Sequence, residues 1–460
     1  MFTVDLRSLS LFRIALSAGW IWMLLMKVGV YSAFHSEQGV FTTELARVLM
    51  PNSWFLFPHL WFANDVYQAF LFGAAFVSAL FLLTGAYTRV AAAFCWILCV
   101  STMARMEVIE VGMEEYLAHF LFLLPFLPCG SFLSWDAYRR TGSLLPRYPT
   151  TDFRSPWSAA FLVSLCLLYF TAGFLKDGIT WQNGSAMRFV LSYRQMTTEA
   201  GRFLLQFPEL LKASTYLVRW WELLFPFLFL LSYRAPRLRT AVLLGTIGLH
   251  VGIAIFMEHL LLPYLCIAGL LGAFRREQWV LLKRAFRLSG EGRVRAEPPA
   301  EPRKWALSNL AALGFIAFML VAFSSENFLQ RPLLGKVGVE IQTYLRLQYQ
   351  WKFYNINPPF DDGEWRIHGS LESGREVQPF LPLLDPSTQH FANPYWFVFS
   401  VTLRRFNDPH LTERFARFIC REWNHQNEDK LRALQIAYLE INLWNGRKTY
   451  HPYFEGSCPN

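Results

Sequence analysis

Apolar positions along this chain come in long unbroken runs, and the polar positions collect in the stretches between them. The hydrocarbon core of a bilayer takes about 20 apolar residues per helix. On that rule spans are expected near 9–30, 66–86, 89–105, 115–133, 156–176, 217–233, 239–257, 259–275 and 304–323. The pattern therefore predicts an all-α polytopic membrane bundle of about nine transmembrane helices over residues 1–325. A small extracytoplasmic α+β domain over 326–460 is expected to follow it.

Between the spans, 177–216 is too polar to cross a bilayer. It carries Met187-Arg-Phe-Val-Leu191 and Phe203-Leu-Leu-Gln-Phe207, which predict helices lying on the outer membrane surface. The stretch 285–304, rich in Gly, Pro, Arg and Glu, reads as a flexible linker. After the last run the pattern changes to aromatic and β-branched alternation in Tyr349–Tyr354, Trp365–His368, Trp396–Arg404 and Leu434–Leu443, all expected to be strands. Asn357-Pro-Pro359 and Asp361-Asp-Gly363 read as turns, and 410–425 as a helix.

Composition sharpens this picture. Of 460 residues, 53% are hydrophobic and 17% aromatic, and mean hydropathy is +0.24, too apolar for an ordinary soluble chain. The net charge of +9 does not point to nucleic acid, because the Lys and Arg residues sit in short connections between apolar runs. Arg89, Arg139, Arg140, Arg147, Arg154, Arg234, Arg237, Arg239 and the 275–304 stretch all fall on one side of the bundle, and the positive-inside rule makes that side cytoplasmic. Glu107, Glu110, Glu114 and Glu258 fall on the other. An odd number of spans then puts the N-terminus in the cytoplasm and the C-terminal domain outside. The first apolar run is full length and lacks a small-residue cleavage site, so no cleavable signal peptide is expected.

The seven cysteines show no Cys-x-x-Cys pair and no Cys/His cluster at metal-ligand spacing, so no metal is expected. Five of them, Cys95, Cys99, Cys129, Cys166 and Cys266, lie in or beside apolar runs as packing residues. Cys420 and Cys458 lie in the outer segment, where an oxidising compartment permits a disulfide; a free buried Cys420 is the alternative. Gly-rich phosphate loops, a nucleophile elbow and an HExxH helix are absent, which argues against nucleotide-driven transport and the common hydrolases.

Ionisable residues within the runs are few. Arg13 and Lys27 flank the first helix, where snorkelling accounts for both. Lys176 ends the run Tyr169-Phe-Thr-Ala-Gly-Phe-Leu-Lys176 just before Trp181, either as an interfacial anchor or as a dehydrated general base. Glu222 stands at the outer entrance of the sixth span and His250 lies well inside the seventh. Lys176, Glu222 and the Glu258–His259 turn would form a polar cluster open to the outer face, suited to an amphipathic lipid or quinone-like ligand.

Several of these residues resemble a known family. The run Tyr169-Phe170, Ala172-Gly173, Lys176, Trp181 and Gly184 is similar to the segment of vitamin K-dependent gamma-carboxylase that holds its catalytic lysine. Leu11-Phe-Arg-Ile14, Gly85-Ala-Tyr-Thr-Arg89 and Phe132-Leu-Ser-Trp-Asp136 resemble the HTTM (horizontally transferred transmembrane) domain found in that enzyme and in many bacterial proteins. The tail, with Trp351, Trp365, 396–404 and Cys420-Arg-Glu-Trp-Asn424, is similar to that of bacterial members, so the likeness covers nearly the whole chain. In the carboxylase the lysine deprotonates a reduced naphthoquinone, oxygen adds, and the strong base so formed removes a γ-proton from a peptide glutamate before carbon dioxide adds. The resemblance implies Lys176 as general base, with His250, Trp181, Glu222, Tyr116 and Glu114 around a quinone or substrate pocket. It also implies a reduced naphthoquinone as cofactor, a peptide or protein as substrate, and the bacterial inner membrane as location. Met113-Glu-Glu-Tyr116 departs from the family, which has an Asn-His pair at that point.

Two readings follow. One is a membrane-embedded, carboxylase-like enzyme acting through Lys176. The other is a non-enzymatic membrane protein or maturation factor whose outer domain binds a client, with Lys176 an anchor.

Overall fold

The structure, a computed structural model, describes residues 2–50, 53–109, 112–258, 260–285, 305–329, 333–347, 357–379 and 393–458. It is mostly helical, with a small sheet near the C-terminus. Helices stand at all the expected span positions: α1 (Leu6–Val28), α2 (Asp65–Thr84), α3 (Thr88–Arg105), α4 (Gly112–Leu123), α5 (Pro156–Phe174), α6 (Pro208–Leu231), α7 (Pro236–Phe256), α8 (Leu261–Gly272) and α9 (Trp305–Ser324).

Five of these segments are long and apolar enough to cross a membrane: Leu6–Val28, Asp65–Thr84, Pro156–Phe174, Pro236–Phe256 and Leu307–Leu329. The expectation of nine is corrected at the other four, for reasons visible in the chain. Helix α3 carries Arg89 and Arg105 at its two ends. Helix α4 is only 12 residues long, because Pro125 turns the chain into a 3-10 segment, Leu124–Phe126. Helix α6 carries Glu209, Lys212, Arg219 and Glu222, and α8 is again 12 residues.

Local chemistry sets the helix ends. Asp5, Asn64 and Ser155 cap α1, α2 and α5 through side-chain oxygens that accept backbone N–H groups of the first turn. Gly85, at φ 68°, ends α2 in the left-handed region, and a β-carbon there would lie 2.3 Å from Arg13 Nη1. Arg13 donates to Leu82 O (2.7 Å), Leu83 O (3.0 Å) and Leu133 O (2.6 Å). It is fully buried, so it caps carbonyls at the end of α2 and does not snorkel.

The start of α1 is tied to the end of α8, where Asp5 N donates to Phe274 O at 3.1 Å, and to the approach to α5, where Leu6 N donates to Thr151 O at 2.8 Å. Arg239 and Arg275 donate to Ala273 O and Tyr233 O at the same end. The opposite end holds Lys27, Glu114, Lys176 and Glu222 and receives the C-terminal segment.

In that segment β1 (Asp361–Leu371), β2 (Glu376–Val377), β3 (Leu431–Asn442) and β4 (Lys448–Ser457) form an antiparallel sheet in the order β2-β1-β3-β4. Trp365 faces Tyr438, and Tyr438 faces His451. Asp361-Asp-Gly363 opens β1 and is not a turn. Residues 396–404 are not a strand either: they lie in helix α10 (Pro394–Phe406). Asn393 caps it, Pro394 takes its first position and Asn407 closes it in the left-handed region, while Tyr395, Trp396, Phe399, Thr402 and Leu403 share its buried face. The expected helix at 410–425 is α11 (Pro409–Gln426), which buries Leu411, Phe415, Phe418 and Ile419. A disulfide joins Cys420 to Cys458, with Cα atoms 5.6 Å apart. The expected linker and the Tyr349–Tyr354 strand lie outside the described residues.

The segment docks on the bundle through specific contacts. Trp396 sits 4.5 Å from Phe34 between ring centroids, Asn393 donates to Met26 O at 2.7 Å, and Arg194 pairs with Asp362 at 3.1 Å. The stretch 177–216 holds the short helices Ile179–Asn183, Ala186–Ser192 and Glu199–Leu204, as its amphipathic pieces predict.

Candidate functional site

Helices α5 and α6 meet backbone to backbone at one turn. A β-carbon on Gly173 would lie 2.4 Å from Leu223 N and 3.0 Å from Arg219 O, so only glycine allows this approach. The contact falls beside Glu222 on α6 and three residues before Lys176. It sets the two side chains opposite each other: Lys176 Nζ lies 2.6 Å from Glu222 Oε2. The ammonium also donates to Ala172 O at 3.0 Å, satisfying a carbonyl of the last turn of α5. The Trp181 ring centroid lies 5.3 Å away as a cation–π partner. Lys176 is 4% exposed and Glu222 8%, so this is a buried pair and not an interfacial anchor reaching into water.

Trp181 is held by the short helix Ile179–Asn183, which Gly184 ends at φ 83°. A β-carbon on Gly184 would lie 2.6 Å from Lys212 Cγ. That glycine brings the Trp181 helix down onto the start of α6. Asp177 is exposed, Glu258 is exposed, and His259 lies outside the described residues, so the expected outer cluster reduces to Lys176, Glu222 and Trp181.

A second polar layer lies deeper between the same helices. His250 Nε2 on α7 is 2.7 Å from the hydroxyl of Tyr169 on α5. The Tyr169 ring packs 4.4 Å from Phe225 on α6, one turn beyond Glu222. At 1.5 Å rise per residue, Tyr169 lies about 10 Å along the axis from Lys176. His250 thus belongs to a neighbouring layer and is linked to the Lys176 layer through α5 and α6.

No protein-family model, curated protein or solved structure matches this chain. The site therefore rests on its geometry.

The remaining expected pocket residues lie elsewhere. Glu114 on α4 pairs with Lys27 at 2.5 Å, accepts from the Tyr395 hydroxyl at 2.8 Å, and is 1% exposed. Lys27 is fully buried and lies 4.8 Å from the Tyr395 ring centroid, so the snorkelling reading is corrected. Tyr116 packs against Gly269 of α8, where a β-carbon would lie 2.1 Å from its hydroxyl. An open depression of about 350 Å3 lies apart from all of these, lined by residues including Arg404, Arg405, Glu440 and His451. Its openness to solvent and its distance in the chain from Lys176 set it aside as the seat of the lysine chemistry.

Sequence reasoning singled out Lys176, Glu222 and Trp181 together and missed the partnership of Tyr169 with His250. Tyr169 lies in the same run as Lys176, seven residues before it, but nothing in that run points to His250 on another helix.

Proposed function

We propose that this chain is an integral membrane enzyme, resembling vitamin K-dependent gamma-carboxylase, that uses Lys176 as a general base on a reduced naphthoquinone or related lipid and couples this to modification of a peptide or protein. The observation that carries the proposal is a nearly buried lysine held by one carboxylate, one carbonyl and one indole at the end of an apolar helix. Ionisable groups at membrane depth are costly and are kept where they do chemistry or bind. Glu222 supplies the step a bare lysine lacks. Transfer of a proton from Lys176 Nζ to Glu222 Oε2 leaves a neutral amine, which then takes the phenolic proton of the ligand and leaves a phenolate beside an ammonium ion. The Tyr169–His250 pair, one layer deeper, offers hydrogen bonds to the far oxygen of such a ring. In this reading the arginine-rich end faces the cytoplasm of a bacterial inner membrane with the N-terminus, and the C-terminal domain is extracytoplasmic.

The same ion pair favours a second reading, a non-enzymatic membrane protein or maturation factor in which Lys176 and Glu222 form an internal strut and the C-terminal segment binds a client. Lys176→Arg separates the two. Arginine keeps the charge and the pairing with Glu222 but stays protonated. Turnover of reduced menadione by the purified chain in detergent should fall at least about 100-fold in the variant, the lower range for loss of a general base. Equal turnover in both forms, or none in wild type, would leave the strut reading standing.

A further inference from the structure

The short helix Ile179–Asn183 carries Trp181, whose ring centroid lies 5.3 Å from Lys176 Nζ. A helix of little more than one turn does not hold itself, so its two ends must be fixed from outside. The C-terminal end is fixed by the bundle: the Tyr216 hydroxyl of α6 donates to Gln182 O at 3.1 Å, and Lys212 and Tyr216 crowd Gly184. The N-terminal end lacks a hold of its own. Its capping residue is Gly178, which has no side chain to accept the N–H groups of the first turn.

Asn357 of the C-terminal segment takes that place. Its Oδ1 accepts from Thr180 N at 3.1 Å and from the Thr180 hydroxyl at 2.9 Å. A capping side chain ordinarily does this from the start of its own helix, whereas here the acceptor comes from a residue 177 positions later in the chain. Thr180 is fully buried, so neither group can turn to water instead. Pro358 and Pro359 follow Asn357, and proline restricts both its own backbone and that of the residue before it, so the amide sits on a stiff arm.

The segment that carries this arm is seated by other contacts. Phe189 packs against Phe360 and Trp444 at 5.3 Å and 4.5 Å between centroids, Arg194 pairs with Asp362, and Gln195 donates to Gly363 O at 3.0 Å. Asn393 and Tyr395 hold the same segment to α1 and α4. Removing the amide at position 357 therefore leaves the segment in place and frees the N-terminal end of the Trp181 helix.

We infer that Asn357 is a positioning residue of the Lys176 site: it supplies, from the C-terminal segment, the cap that keeps Trp181 against the Lys176 ammonium. This deepens the general-base reading and rests on it for any consequence in turnover. Without the cap, Trp181 moves off and water reaches the Lys176–Glu222 pair.

The test reads the reactivity of individual lysines and not turnover. The full chain in detergent is pulsed with sulfosuccinimidyl acetate at alkaline pH, and acetylation of Lys176 and Lys27 is followed by peptide mass spectrometry. Lys27 is the internal control, because it too is buried, is paired with Glu114, and lies against Tyr395 of the same segment. In Asn357→Leu, Lys176 should react at least about tenfold faster, the factor that about 1.4 kcal/mol of lost closure corresponds to, with Lys27 unchanged. Asn357→Asp, which keeps an acceptor oxygen, should retain wild-type protection. Should Asn357→Leu fail to fold, Thr180→Val, which removes the hydroxyl from the other side of the contact, should expose Lys176 with the same selectivity. Unchanged Lys176 reactivity in the folded variant, an equal rise at Lys27, or lost protection in Asn357→Asp would each overturn the positioning role. Each of those results leaves the general-base reading to its own turnover test.

Discussion

Breaking the Lys176–Glu222 pair one side at a time gives a quantitative test of what holds α5 to α6. The side chains are 5% and 10% exposed and 2.6 Å apart. Removing one member of such a pair leaves the other charged and buried, at a cost of about 3–5 kcal/mol. Lys176→Met abandons the Glu222 carboxylate, and Glu222→Leu abandons an ammonium whose other partners are Ala172 O and the Trp181 ring. Because those two partners persist, Glu222→Leu should be the milder change, toward about 3 kcal/mol. The double variant removes both charges and their desolvation cost together, so it should sit within about 2 kcal/mol of wild type. The coupling energy is then at least about 4 kcal/mol, well above the scatter of about 0.3–0.5 kcal/mol for independent sites. The assay is denaturant unfolding of the four forms in one detergent, followed by tryptophan fluorescence, with Trp181 as a nearby reporter. Additive single costs within that scatter would refute the reasoning, since they would mean that the two groups do not sense each other in the folded chain.

Two further outcomes follow from the same architecture. Gly173→Val places atoms where Leu223 N would lie 2.4 Å from the first new carbon, so α5 and α6 must separate; the expected cost is at least 1–3 kcal/mol, read by the same unfolding assay, and a variant as stable as wild type would contradict the close approach. Reducing the Cys420–Cys458 bridge, which spans 38 residues, should lower the stability of the C-terminal segment by up to about 4 kcal/mol while leaving bundle helicity intact; limited proteolysis with and without reductant checks it, and an unchanged cleavage rate would count against it.

What the sequence made legible follows from how loudly each residue contradicts its surroundings. Lys176, Glu222 and Trp181 stand out because charge and indole interrupt apolar runs, and the structure brings these three together. Tyr169 and His250 blend into their helices, and their pairing depends on how α5 and α7 pack, which no local pattern encodes. Lys27 reads as snorkelling by position alone, yet its partner Glu114 lies far along the chain and in an adjacent helix. Helix α10 reads as a strand because Phe397, Phe399 and Val401 alternate with other residues. Its buried face, Trp396, Phe399 and Leu403, follows the helical period, and Asn393, Pro394 and Asn407 mark the helix ends.

The shortfall from nine full spans to five has the same origin as the candidate site. Helices that carry charge near their ends, or that break early at proline, leave polar groups inside the end layer of the bundle, where they meet buried partners. Helix α6 gives up apolar length to Arg219 and Glu222, and Glu222 meets Lys176. Helix α3 ends in Arg105, which reaches Glu37 and the His35 carbonyl. Helix α4 begins with Glu114, which takes Lys27 and Tyr395. In each case lost hydrophobic length coincides with buried polar chemistry at the end where the C-terminal segment docks. Tyr395 reaches Glu114 from α10, and Asp362 reaches Arg194 from β1. A change in the seating of that segment would therefore act directly on the Lys27–Glu114 pair, and on Lys176 through the 177–216 stretch, because Thr180, one residue before Trp181, hydrogen-bonds Asn357.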